Sequence, residues 1–137
     1  MAFTGPAEDR LMIRELIEAY ADAVNCRDAE AWGALWASDS TWSMPDYPEF
    51  GTVRGRETIV KTWVSAMALY PGVVFAATIG AIEVNGSEAT ARSYTSEVYD
   101  DSSGVTKRDR GTYLDRLVKI DGRWYFASRS FRNTHRA

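Results

Sequence analysis

The sequence predicts an α+β fold: a cone-shaped, curled antiparallel sheet with three helices from the first half of the chain packed on its concave face. Two observations predict it. Apolar residues recur at helical spacing in the first half, and the second half reads as strands. Asn85-Gly86 and Asp121-Gly122 are tight-turn signals, and Asp101-Ser102-Ser103-Gly104 is a longer one, so the second half divides into long consecutive strands. Segregation of helices from strands is the mark of an α+β domain.

The first helix is expected over residues 7–25. Pro6 precedes it, and Glu8 and Asp9 occupy its first turn, where the helix dipole favours acids. Ile13, Leu16, Ile17, Tyr20, Ala21 and Val24 form one stripe to bury. A short second helix takes Asp28 as its N-cap and turns Ala31, Trp32, Leu35 and Trp36 inward. Residues 40–44 read as a short strand, after which Pro45, Pro48 and Gly51 mark an irregular loop. The third helix starts near Gly55-Arg56-Glu57. It carries Ile59, Val60, Trp63, Val64, Met67 and Tyr70 on its stripe and ends at Pro71-Gly72. Four strands follow, at about residues 73–84, 87–99, 106–120 and 123–133, paired in order as a meander. Strands this long twist and curl. Helices packed into the curl leave a cone with an open mouth.

A chain of 137 residues fits one domain, spanning 1–137, and 45% apolar residues make it globular. Aromatic residues at 12%, with five Trp and seven Tyr, suit a pocket lining or a broad interface. A net charge of −3 offers no basic surplus for a phosphate backbone, so no nucleic-acid partner is expected. Cys26 is the one cysteine, which excludes an intrachain disulfide and a cysteine-based zinc site. The only histidine, His135, lies at the far C-terminus, so Cys26 reads as a packed small residue. The N-terminal stretch has no apolar signal core, and the longest apolar run, residues 73–82, is too short to span a bilayer. A cytoplasmic protein without a membrane partner is expected. No metal or nucleotide motif is present, so neither metal nor cofactor is expected.

Several local stretches carry a family resemblance: Asp9-Arg-Leu-Met-Ile-Arg-Glu-Leu, Tyr20-Ala-Asp-Ala-Val-Asn-Cys-Arg-Asp, Gly55-Arg-Glu, Gly111-Thr-Tyr-Leu-Asp and Asp121-Gly-Arg-Trp. Their order and spacing resemble the SnoaL-like branch of the nuclear-transport-factor-2-like superfamily over nearly the whole chain. The resemblance implies a conical pocket and frequent homodimers. It also implies a range of activities: polyketide cyclases, ketosteroid-type isomerases, dehydratases, a dehydrochlorinase, and binding members without chemistry. Fold therefore does not give function. The dehydratase branch pairs an Asp at the end of the first helix with a His on the first meander strand. Asn25 and Phe75 stand at those positions here. Asn cannot carry the charge that makes the imidazole a base, and Phe takes no proton, so that dyad mechanism is not expected. The Tyr of the bile-acid dehydratase group is matched by Tyr20.

Tyr20, on the buried stripe, can donate to a substrate carbonyl or an oxyanion, or simply pack. Asn25 can bond a polar ligand atom or close the helix in a left-handed turn. Glu97 shares its strand face with Ala89, Ala91, Ser93 and Thr95, small residues that leave room for a ligand. Inside an apolar cavity its pKa would rise toward that of a general base; otherwise it is solvated or paired with an Arg. Asp115 shares a face with Gly111 and Tyr113; it is a second candidate base, or a cross-strand ion pair with Arg129. Asp22 faces away from Tyr20. His135 can fold over the mouth. Trp36, Trp42, Trp63, Phe75 and Trp124 can line an aromatic cavity, with Tyr113 and Arg129 also at the ligand, or are plain core.

These residues point first to a cofactor-independent isomerase, cyclase or dehydratase. It would act by proton transfer beside a carbonyl of a hydrophobic polyketide, steroid, terpenoid or aromatic catabolite. Glu97 or Asp115 would be the base, and Tyr20, with Asn25, would hold the oxyanion. The alternatives are a non-catalytic ligand-binding or dimerisation module, and a small subunit of a larger enzyme. A homodimer is expected through the exposed sheet face, with Tyr94, Tyr99 or Tyr125 as anchors.

Overall fold

A computed structural model describes residues 1–136, with side chains through residue 134. The chain opens with a two-residue strand, β1 (Phe3–Thr4), and enters helix α1 (Ala7–Cys26) directly after Pro6. Ile13, Leu16, Ile17, Tyr20, Ala23 and Val24 are its buried face. Arg27, not Asn25, takes the left-handed turn that ends the helix, at φ 53°. The Arg27 guanidinium donates to the carbonyls of Met67 at 2.6 Å and Tyr70 at 3.1 Å, which ties this helix end to the turn at residues 67–70. Cys26 is exposed rather than packed: the helix turns its apolar face inward at Ala23 and Val24 and leaves position 26 outside.

Helix α2 (Ala29–Gly33) is capped as expected, the Asp28 carboxylate accepting the Ala31 N–H at 3.0 Å. It stops before Trp36. The Leu35 carbonyl instead accepts the Phe126 N–H at 2.9 Å, and Trp36 opens strand β2 (Trp36–Met44). Pairing with a late strand thus overrides the helical spacing of Trp32, Leu35 and Trp36. The Pro-broken segment also holds more order than its residues suggest. The Tyr47 carbonyl accepts the N–H groups of Phe50 and Gly51, and strand β3 (Gly51–Arg54) pairs antiparallel with β2. Helix α3 (Arg56–Met67) buries Ile59, Trp63 and Met67, while Val64 is exposed and Tyr70 lies past its end.

The four long strands are β4 (Val74–Asn85), β5 (Glu88–Asp100), β6 (Thr106–Ile120) and β7 (Arg123–Arg136), a meander as expected. The sheet has seven strands, in the order β1-β4-β5-β6-β7-β2-β3, and it is mixed: β1 runs parallel to β4, and β2 parallel to β7. The expected purely antiparallel five-strand sheet is thereby corrected. Register shifts between Ile79 and Ala81 and between Arg110 and Gly111 bend the long strands. The helices cover one face. Trp32 of α2 stacks on Trp63 of α3, with centroids 4.7 Å apart, and joins the two helices over it. On that face β5 places Ala89, Ala91, Ser93 and Thr95, and β6 places Asp109, Tyr113, Asp115 and Leu117, all buried. Among the described residues no helix is long and apolar enough to cross a membrane.

Candidate functional site

A cavity of ≈ 90 Å³ opens between α1, α3 and the inner sheet face. Its walls are mostly aromatic: Tyr20 from α1, Trp63 from α3, Trp42 from β2, Phe75 from β4, Tyr113 from β6 and Phe131 from β7. Phe131 reaches the cavity because residue 111 is glycine; a Cβ there would collide with its ring. The segment after β2 contributes Tyr47 and Phe50. Among the described residues Glu97 is the one charged residue of the lining.

The cavity has two polar ends. At one, the hydroxyls of Tyr20 and Tyr113 lie 3.1 Å apart in a buried hydrogen bond. Two hydroxyls sharing one bond keep a second O–H proton to donate elsewhere. Burial raises both tyrosine pKa values, against the pull of the nearby Arg129 charge. Arg129 sits behind them, its guanidinium 4.3 Å from the Tyr20 ring centre and 3.7 Å from that of Tyr113.

At the other end stands Glu97. Its cross-strand neighbours are Phe75 on β4 and Asp109 on β6. Burial pushes the Glu97 carboxyl up to about 7, and the Asp109 charge pushes the same way. The buried Asp109 accepts a hydrogen bond from the Tyr99 hydroxyl at 3.2 Å. Burial and Asp109 together push Tyr99 up to about 12. The Tyr99 ring packs edge-on against Tyr70, a lining residue whose own pKa burial also raises. Glu97 lies four positions from the Tyr113 partner Ser93 along β5, a separation of roughly 13 Å by strand rise.

The expected site residues divide sharply. Tyr20, Glu97, Trp42, Trp63, Phe75 and Tyr113 line this cavity. The other five sit elsewhere. Asp115 is 3% exposed, and Arg129 takes both its oxygens, at 2.7 and 3.0 Å, so it is placed as an ion pair rather than as a base facing ligand. Arg129 itself is 1% exposed and held by that pair, not at the ligand. Asn25 is spent on the backbone of Phe75: its side-chain oxygen accepts the Phe75 N–H at 2.7 Å, and its NH2 donates to the Phe75 carbonyl at 2.8 Å. Trp36 is core, packed between Trp32 and Phe126. Trp124 donates its indole N–H to Asp9 at 3.0 Å, beside Lys119, at the far end of the helix. Asp22 is exposed, as its spacing from Tyr20 implies. The His135 side chain lies outside the described residues.

Asp109 was legible by parity, two positions from Gly111 on the same face, but nothing in the residue type singled it out. Tyr47 and Phe50 follow no periodic pattern and carried no signal. Among the described residues no three His, Cys, Asp or Glu side chains gather closely enough to hold a metal ion.

A mixed sheet covered on one face by helices, with an aromatic cavity between them, is the nuclear-transport-factor-2-like architecture. The SnoaL-like domain model matches residues 6–130, and the chain belongs to that family. No curated protein matches the sequence. Solved structures do. A variant of Rv3472, a Mycobacterium tuberculosis protein of unknown function, is 26% identical with a TM-score of 0.82, the alignment covering 95% of this chain and 79% of that one. A scytalone dehydratase-like protein of Novosphingobium aromaticivorans is 24% identical with a TM-score of 0.82, covering 94% and 86%. A LinA-type hexachlorocyclohexane dehydrochlorinase from Novosphingobium barchaimii LL02 is 17% identical with a TM-score of 0.81, covering 95% and 89%. At these identities the last two share the fold alone.

Proposed function

We propose that this protein is a cofactor-independent isomerase, cyclase or dehydratase that moves a proton on a small hydrophobic substrate. The observation that carries the proposal is the pairing of functions across one cavity: a shielded carboxylate at one end and an O–H donor at the other. Glu97 removes a proton from carbon beside a carbonyl. The Tyr20–Tyr113 pair donates its unused O–H to the carbonyl oxygen as negative charge builds there. Protonated Glu97 then returns the proton to another carbon or to a leaving hydroxyl. A pKa of about 7 suits both directions, because an acid–base group works best near the ambient pH. A cavity of ≈ 90 Å³ favours a single ring over the fused rings of a steroid.

The test is solvent-deuterium exchange and double-bond shift on a small probe, cyclohex-3-enone, followed by NMR. Glu97→Gln is expected to lower the rate at least ~100-fold, as loss of a general base does. Tyr20→Phe is expected to lower it by roughly 100- to 1000-fold, as loss of one oxyanion donor does. An undiminished rate in Glu97→Gln sinks the reading. A second reading, a binder without chemistry, is favoured by one fact: among the described residues the Tyr20 hydroxyl bonds to Tyr113 and to no carboxylate. Probe binding without exchange would select it.

The outer sheet face supports a homodimer in either case. Val74, Tyr94 and Leu114 are about half exposed there or more. Tyr99 is removed from the anchors, since it points to the cavity side and bonds Asp109. Tyr94→Glu should shift the mass measured by light scattering to that of a monomer.

A further inference from the structure

The field along the cavity is not symmetric. Behind the tyrosine end lies the Arg129 guanidinium, and at the opposite end lie Glu97 and Asp109. The titratable groups around Glu97 are Asp109 across on β6, whose cross-strand partner on β7 is Arg136, then Tyr99 on its own strand, Tyr70 after α3, and Tyr20 of α1 further along the cavity. From β4 its neighbour is Phe75, which carries no charge. Among the described residues no Lys or Arg lines the cavity or forms an ion pair with Glu97. The walls beside it are the electron-rich ring faces of tyrosine, tryptophan and phenylalanine, which attract cations. Among the described residues the site holds a carboxylate and aromatic walls without a counter-charge, an arrangement complementary to a positive ligand.

We propose that the cavity binds a compact hydrophobic ammonium ion, its nitrogen against Glu97 and its apolar body between Trp42, Trp63 and Phe75. The volume, ≈ 90 Å³, is small, so the ligand is compact and extends toward the open mouth. The proposal rests on Glu97 facing the cavity, as the proton-transfer reading does. A negatively charged ligand is repelled by the same groups.

Calorimetric titration of the whole protein with three probes of one shape tests this: 2-phenylethylammonium, 2-phenylethanol and 3-phenylpropanoate. The ammonium is expected to bind at least tenfold tighter than the alcohol at pH 8, with the propanoate weakest. Its affinity should fall severalfold from pH 8 to pH 6, because Glu97 must give up a proton to meet the cation while the ammonium stays charged throughout. Glu97→Gln should bring the ammonium down to the level of the alcohol. Should that variant not fold, the pH series on the unaltered protein decides alone. Equal binding of ammonium and alcohol, tighter binding of the propanoate, or no binding by any probe overturns the proposal. Tight ammonium binding with no enone exchange keeps it and rejects the proton-transfer reading; enone exchange with a preference for the alcohol does the reverse.

Discussion

Asp115 and Glu97 stand on the same inner sheet face, one strand apart, Asp115 buried and Glu97 half-buried. Their surroundings differ in one respect. Asp115 meets Arg129, which binds both its oxygens. Glu97 meets Asp109, another acid, across the strand pair, and no cation answers it among the described residues. The first arrangement locks a carboxylate into the architecture. The second leaves a carboxylate whose proton is loosely enough held to move near neutral pH. Burial alone therefore does not mark a reactive acid; the partner decides.

The largest test of that contrast is removal of the Asp115 charge. Asp115→Asn leaves Arg129 buried with its positive charge unanswered, and its Nη1 already has no hydrogen-bond partner among the described residues. Breaking one side of a buried pair costs about 3–5 kcal/mol. Urea denaturation of the variant should register a loss of that size. A loss under about 1 kcal/mol would mean that the pair does not hold the sheet together.

Glu97 should behave in the opposite sense. Its folded-state pKa, about 7, lies above the ordinary 4.5, so the folded state holds the proton more tightly than the unfolded chain. The stability gained from that is fully present below about pH 4.5 and is lost as pH rises through 7. The loss should be on the order of 2 kcal/mol, an amount reduced by partial exposure. Glu97→Gln mimics the protonated form, so it should abolish this slope and be the more stable protein at pH 8. Denaturation midpoints of both proteins from pH 4 to pH 8 measure it. Parallel pH profiles would place Glu97 in water.

Much of this contrast was readable in the sequence, but not all of it. Alternation along residues 89–97 put Glu97 on one face with Ala89, Ala91, Ser93 and Thr95, because strand parity is fixed by the pleat, but it did not say which face was the inner one. The same counting put Asp115 and Tyr113 on one face of their own strand. Which acid met the arginine was also within reach, since Asp115 and Arg129 flank one tight turn and pair across it. What could not be read was distance through space. Asn25 and Phe75 are fifty positions apart, and only the packing of α1 on β4 makes the amide a clamp on the Phe75 backbone. Trp36 and Trp124 carry the same indole as Trp42 and Trp63, yet the first is core and the second serves Asp9. Strand β3 and the parallel pairings escaped because four residues after two prolines show no period, and β2 finds its partner near the other end of the chain.

The Asn25 clamp gives a smaller prediction that sharpens the comparison, because Phe75 is the residue that shields Glu97 from the β4 side. Asn25→Ala leaves the Phe75 N–H and carbonyl without their side-chain partners, at a cost of about 1–3 kcal/mol. Asn25→Asp keeps the acceptor for the N–H but loses the donor to the carbonyl, so it should be destabilising as well. Amide exchange at Phe75 should speed up in the alanine variant. Water reaching Glu97 past a loosened Phe75 should also lower its titration midpoint. An Asn25→Ala protein with unchanged Phe75 exchange would separate the clamp from the shielding.

The finest test divides burial from charge at Glu97 itself. Burial is the larger cause of its raised pKa, and the Asp109 charge is the smaller one. Asp109→Asn removes only the second. Carboxyl carbon NMR should then find the Glu97 midpoint below about 7 but still above the ordinary 4.5. The Tyr99 hydroxyl keeps an acceptor in the side-chain amide carbonyl of that variant, so the local packing has no reason to open. A midpoint that falls all the way to 4.5 would reverse the order of causes and make the carboxylate pair, not the aromatic wall, the origin of the reactive acid. An unmoved midpoint would mean that Asp109 acts only on Tyr99, and that the hydrophobic surroundings suffice to set Glu97 apart from Asp115.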